Sequence, residues 1–164
     1  MLLYICGDIM FSNSLIVDIL DYLDNNLYKQ ISINEISKTF NYNKDYIMRL
    51  FKKELNITII EYINSKRVYF SLDKIKNSKD SILKISLDAG FSSQEYFCEM
   101  FTKTIGVSPL KYRNFTKVGN KLTISAINNI NKQIVDLNYL FSNINKYKNN
   151  IPPKTTVKML SIFK

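Results

Sequence analysis

The chain has 164 residues, a net charge of +9 from 23 basic and 14 acidic residues, and an apolar fraction of 46%. Four Gly and three Pro are too few for a sandwich or barrel, and the absence of His excludes zinc fingers, His-based triads and His-ligated metals. Cys6 and Cys98 have no metal or redox spacing, so no cofactor is expected.

The first eleven residues, MLLYICGDIMF, are apolar, but they lack a basic flank and carry Asp8. They are too short to span a bilayer, so no membrane segment and a cytoplasmic location are expected. Residues 1–14 are taken as an N-terminal segment, 15–114 as the functional domain and 115–164 as a basic extension. The domain carries 15 basic and 12 acidic residues, net +3, and the extension 8 and 1, net +7. Ser14 is placed as the cap of a helix through Asn26, with Ile16, Ile19, Leu20, Leu23 and Leu27 on one stripe.

Ser32 with Glu35 three residues on predicts a capping box and a second helix ending at Asn41, a residue that tolerates the left-handed turn. Asn43 caps a third helix to about Leu55, with Ile47, Leu50 and Phe51 inward. Thr58 caps a long fourth helix, Ile59 to about Asn77, whose core candidates are Ile60, Ile63, Val68, Leu72 and Ile75. A fifth helix runs from Ser81 to Ala89, and Gly90 makes a tight turn. Ser92 or Ser93 caps a sixth helix ending near Ile105. Gly106 closes it, and Ser108-Pro109 opens a short seventh. Ile127, Ile130, Ile134, Leu137, Phe141 and Ile144 then mark an amphipathic helix of about five turns, halted by Pro152-Pro153. Thr155 to Phe163 is compatible with a strand that has no partner.

The organising feature is a repeat. The block from Ile36 to Tyr62 returns from Ile85 to Tyr112. Ile36-Ser37 matches Ile85-Ser86, Asn41-Tyr42 matches Gly90-Phe91, Tyr46 and Phe51 match Tyr96 and Phe101, and Tyr62 matches Tyr112. Each copy reads as helix-turn-helix, with a small residue where the helices touch, a turn residue of positive φ, and then a cap. The expected architecture is therefore all-α, with two helix-turn-helix subdomains joined by a long central helix, plus a C-terminal amphipathic helix. A major groove about 12 Å wide admits one α-helix. The central helix, about 28 Å long at 1.5 Å per residue, puts two reading helices within reach of successive grooves and a footprint of about 20 base pairs.

These residues resemble the DNA-binding domain of the AraC/XylS family of transcription regulators. The resemblance covers about Ile16 to Asn114. Its specific part is the second unit, ISLDAGFSSQEYF from Ile85, then Phe101-Thr-Lys and Gly106-Val-Ser-Pro-Leu-Lys-Tyr-Arg113. YIMRLFKK from Tyr46, and Tyr62-Ile63 before Arg67, add to it. The resemblance implies sequence-specific binding to double-stranded promoter DNA, with RNA polymerase a further partner.

On the first reading helix the face opposite Ile47 and Phe51 holds Lys44, Asp45, Met48, Arg49 and Lys52. Asp45, Met48 and Arg49 match the family's base-facing positions. Arg49 is the leading base contact because a guanidinium forks onto guanine O6 and N7; the alternative is a phosphate contact or a solvated charge. On the second, Gln94, Glu95, Cys98 and Glu99 face outward, with Gln suited to adenine and Glu to cytosine N4. That face has no Arg and two carboxylates, so backbone-dominated docking is the alternative to base readout there.

Phosphate contacts are expected from Asn43, Lys44, Lys52, Lys53, Lys66, Arg67, Ser92 and Ser93, with an internal ion pair the other option for Arg67. Arg113 is read as structural, and the Tyr and Phe residues of the repeats as core. A redox switch at Cys98 is not expected, since Lys103 is the one nearby group that would lower its pKa.

No N-terminal sensing domain is expected, and the chain is alternatively the front of a longer regulator. The C-terminal helix is expected to pack back on the domain, the rivals being a weak homodimer and contact with flanking DNA. An enzyme is not expected, for want of His, a phosphate-cradling Gly loop and paired carboxylates. The rival function is a protein-interaction adaptor that keeps the helix-turn-helix fold but binds another regulator or RNA polymerase.

Overall fold

In the computed structural model the described residues are 2–115 and 124–150, with side chains from 14 to 115 and from 125 to 150. They form eight helices: α1 (Leu2–Asn25), α2 (Ile33–Phe40), α3 (Lys44–Leu55), α4 (Ile59–Asn77), α5 (Ile82–Asp88), α6 (Gln94–Ile105), α7 (Pro109–Phe115) and α8 (Ile124–Asn150).

Local chemistry accounts for the boundaries of the repeats. Ser32–Glu35 and Thr58–Glu61 are reciprocal capping boxes, and the side chains of Asn43, Ser81 and Ser93 each accept an amide of the following first turn. The capping role left open between Ser92 and Ser93 falls to Ser93. Asn41 and Asn56 sit in the left-handed region at φ 57°, and Gly90 and Gly106 at 87° and 86°.

Three sequence expectations change. Helix α1 starts at Leu2, so Ser14 lies inside it and caps nothing. The run before it contains no Pro, and a lone Gly7 costs only about 1 kcal/mol in a helix. Ile60 is 55% exposed, because α4 turns Ile59, Tyr62 and Ile63 inward and leaves position 60 on the outer side. Helix α8 has 27 residues rather than five turns. The expected stop at Pro152-Pro153 and the strand at Thr155 to Phe163 lie outside the described residues.

The hydrophobic interior is double. One core gathers α1 (Leu15, Ile16, Ile19, Leu20, Leu23), α2 (Ile36) and α3 (Ile47, Leu50, Phe51) on the first half of α4. The other gathers α5 (Ile85) and its C-cap Ala89, α6 (Phe97, Phe101, Ile105) and α7 (Tyr112) on the second half, at Val68, Leu72 and Ile75. Each large side chain so buried contributes about 1.5–3 kcal/mol. Helix α4 therefore belongs to both subdomains at once. Helix α8 packs back on the domain, as expected: Ile130 and Leu137 enter the second core and Ile144 the first.

Candidate nucleic-acid interface

Helix α3 is held by burying Ile47, Leu50 and Phe51, which leaves its other side open. Asn43, Lys44, Asp45, Met48, Arg49, Lys52 and Lys53 are all exposed. The Asn43 side-chain oxygen accepts the Asp45 amide at 2.8 Å, so its carbonyl is committed to the cap. The Arg49 Nε–H makes a long 3.4 Å contact with the Asp45 carbonyl, which lays the guanidinium along the outer face. Lys52 donates to the Asn56 carbonyl at 2.9 Å and lies 3.9 Å from Glu61, both at the solvent-exposed end of α3. Four cations against Asp45 make this face basic.

Helix α6 is presented in the same way, by Phe97, Phe101 and Ile105. Ser92, Glu95 and Glu99 are exposed, whereas Ser93, Gln94 and Cys98 are half-buried. The Ser93 hydroxyl accepts the Tyr96 amide, so its side chain caps the helix. Burial, and then the charge of Glu95, push the Cys98 thiol above its usual value. A protonated thiol is a poor nucleophile, which argues against a redox role. The outer face thus carries two carboxylates where α3 carries cations.

Two expected phosphate contacts are corrected. Lys66 is drawn inward to the carboxylate of Asp24 on α1 and stands 5.0 Å from the Tyr62 ring centroid. Burial alone would raise the Asp24 pKa, but hydrogen bonds from Lys66 and Tyr62 and the charges of Lys66 and Lys148 overrule it, and the net shift is downward. Arg67 is 6% exposed. It donates to the carbonyls of Leu27 and Lys29 at 2.7 and 2.6 Å and lies 5.6 Å from the Phe91 ring centroid. Its partners are backbone carbonyls and a ring rather than the internal ion pair considered as its alternative. Lys66 thus ties α1 to α4, and Arg67 ties the α1–α2 connection to it. Arg113 also turns inward, donating to the Ile75 carbonyl at 3.1 Å.

The tyrosines of the repeats divide. Tyr62 and Tyr112 are core, as expected, but Tyr42 and Tyr46 are 43% and 38% exposed and stack at 5.6 Å beside the start of α3. Tyr96, the repeat mate of Tyr46, is also on the surface, where its hydroxyl accepts from Asn64 at 2.8 Å. The expectation that these rings are core fails for the three that sit at the entry to a reading helix. Tyr46 and Tyr96 stand directly before the core positions Ile47 and Phe97, so the run of apolar residues gave no signal that they face outward. Among the described residues no cluster of potential ligands is arranged for a metal, and no helix is long and apolar enough to cross a membrane.

Two exposed helices, each presented by a partner helix through a left-handed turn, define the helix-turn-helix class twice over. A family model described as a helix-turn-helix domain matches residues 36–114. The multiple antibiotic resistance protein MarA of Escherichia coli K12 is 31% identical over 113 residues, covering 69% of this chain and 89% of MarA. The transcriptional activator AarP of Providencia stuartii is 29% identical over 103 residues, covering 63% and 76%.

Among solved structures, the C-terminal domain of AraT, a response regulator from Geobacillus stearothermophilus, shares the fold at a TM-score of 0.59 and 22% identity, over 67% of this chain and 92% of that one. The DNA-binding domain of AdpA, solved with a target DNA, matches at 0.56 and 17%, over 61% and 90%. The chain belongs to the AraC/XylS family and is a DNA-binding transcription regulator.

Proposed function

We propose that this regulator, acting in the cytoplasm as a monomer on DNA, lays α3 and α6 into successive major grooves on one face of a promoter. Helix α3 specifies the sequence, with Arg49 on guanine and Asp45 and Met48 beside it. Lys44, Lys52 and Lys53 neutralise phosphate, and the first-turn backbone at Asn43 lies at the backbone edge. Helix α6 docks through Gln94, Glu95, Cys98 and Glu99, with the amides near Ser92 and Ser93 facing phosphate. The observation that carries this reading is the pair of exposed helices on cores that share one 19-residue helix, about 28 Å long, against a duplex turn of about 34–36 Å. Use of the apolar stripe of α8 inside the fold supports a monomer. RNA polymerase is the protein partner that family membership suggests.

Hydroxyl-radical footprinting on a duplex recovered by in-vitro selection tests the reading. Two protected windows one helical turn apart on one face are expected. A single window would mean that α6 does not engage. The exposed Glu95 and Glu99 favour one alternative, an adaptor that binds another regulator or the polymerase. Selection from pooled random duplexes separates the two, because an adaptor enriches no sequence.

A further inference from the structure

Helix α8 begins beyond residue 114, where the match to the helix-turn-helix family ends. Neither reading unit needs it to form its turn or caps, yet it enters both cores. Phe141 stands at their junction, edge-on to Tyr62 of the first core at 6.4 Å and to Tyr69 beside the second at 5.4 Å. Further along, the Tyr147 hydroxyl donates to Glu54 in the last turn of α3 at 3.3 Å. At the other end Asn129 lies against the C-cap of α6: a Cβ built on Gly106 would be 2.5 Å from its side-chain nitrogen. From Asn129 to Tyr147 the helix rises about 27 Å, close to the roughly 28 Å of α4. Lys148 pairs with Asp21 and Asp24 of α1, and Asn138 accepts from Tyr69 of α4 at 2.6 Å. Helix α8 thus touches the C-terminal ends of both reading helices.

A single rod joining two heads bends and twists, because long helices curve readily. Two struts of matched length joining the same heads make a closed frame. A further joint braces the frame: Gln30 donates to the Gly90 carbonyl at 3.2 Å, linking the α1–α2 connection to the turn of the second unit.

We infer that α8 is a second strut that sets the angle and separation of α3 and α6, with Phe141, Tyr147 and Lys148 as positioning residues, and so fixes the half-site spacing the protein accepts. This rests on the two-groove reading. One inserted base pair shifts a half-site by about 3.4 Å and rotates it by about 35°. A braced frame cannot follow that displacement, whereas an unbraced rod can.

The test uses the full chain and a selected duplex, together with versions of that duplex carrying one base pair more or fewer between the half-sites. The native protein is expected to discriminate against the altered spacers on the order of tenfold or more, as a stiff protein on stiff DNA should. Phe141→Ala is expected to lower that ratio severalfold and to leave affinity for random duplex unchanged, a split that a general loss of fold would not produce. Lys148→Ala removes a surface latch without opening either core and carries the same test, with a smaller drop, if Phe141→Ala loses helicity.

A second arm needs no DNA. Spin labels at Lys53→Cys and Lys103→Cys, with Cys6 and Cys98 replaced by Ser, should give one narrow distance that broadens on Phe141→Ala. Where the native protein discriminates spacers, unchanged ratios in folded variants overturn the strut, and an unchanged distance distribution overturns it in either case. Broadened distances with no spacer discrimination by the native protein uphold the strut and overturn the two-groove reading.

Discussion

In the first helix-turn-helix unit the turn residue is Asn41, the small contact residue Ser37 is half-buried, and the reading face carries Lys44, Arg49, Lys52 and Lys53. In the second the turn residue is Gly90, Ser86 is fully buried, and the reading face carries Glu95 and Glu99. The same frame is thus built twice around different demands. The first turn faces solvent, so it needs only a residue that tolerates the left-handed region. The second turn packs against the chain: a Cβ on Gly90 would lie 2.9 Å from Cα and O of Tyr28. A shared motif therefore does not imply shared constraints, and the difference comes from what each unit is packed against.

The turn comparison predicts the largest effect. Gly90→Ala combines a strained positive φ with a backbone clash and should lower unfolding stability by about 2–4 kcal/mol. Asn41→Gly should change it by less than about 1 kcal/mol. Equal values in urea titrations would mean that the Tyr28 contact yields at little cost.

Next comes the contrast in charge. Arg49→Ala should weaken binding to a selected duplex by about 1–3 kcal/mol, with a much smaller loss on random DNA. Equal losses on both would demote Arg49 to a phosphate contact. On the other unit, Glu99→Arg should steepen the dependence of log affinity on log salt by about 0.9, one phosphate's worth. No change in slope would show that α6 stays clear of the duplex.

The smallest effect concerns the polar node joining α1, α4 and α8, where Asp24 meets Lys66, Tyr62 and Lys148. The Asp24 carboxyl is held below its ordinary value in the folded state, so its contribution to stability is present above the unfolded pKa. That contribution is lost as the pH falls through the folded one. Asp24→Asn should flatten the acid limb of a stability–pH curve below the ordinary carboxylate range and change little at neutral pH beyond a constant offset. An acid limb of unchanged steepness would assign that dependence to other carboxylates.

The helix boundaries were legible because capping is local. Ser32, Asn43, Thr58, Ser81 and Ser93 each bond to an amide two or three residues on, a distance that a sequence displays directly. The repeat was legible for the same reason, since each copy restates one pattern of inward apolar residues. Lys66 and Arg67 were not. Their partners Asp24, Leu27 and Lys29 lie 42, 40 and 38 residues away, and a cation next to a binding motif looks the same whether it faces solvent or turns inward. Ile60, Tyr46 and Tyr96 were misjudged as interior because periodicity ranks positions around a helix without saying how wide the covered stripe is, and Tyr42 sits in the turn before α3, where no helix face applies.

The amino-acid order alone determined where α2 to α7 begin and end, that there are two reading units, and which family they belong to, because caps, turns and periodic apolar residues act over a few neighbours. Tertiary structure decided which cations remain on the surface, which turn tolerates a side chain, and that α8 spans both cores. Those outcomes depend on which groups meet from distant parts of the chain, where burial and hydrogen bonding set the balance between solvent and interior.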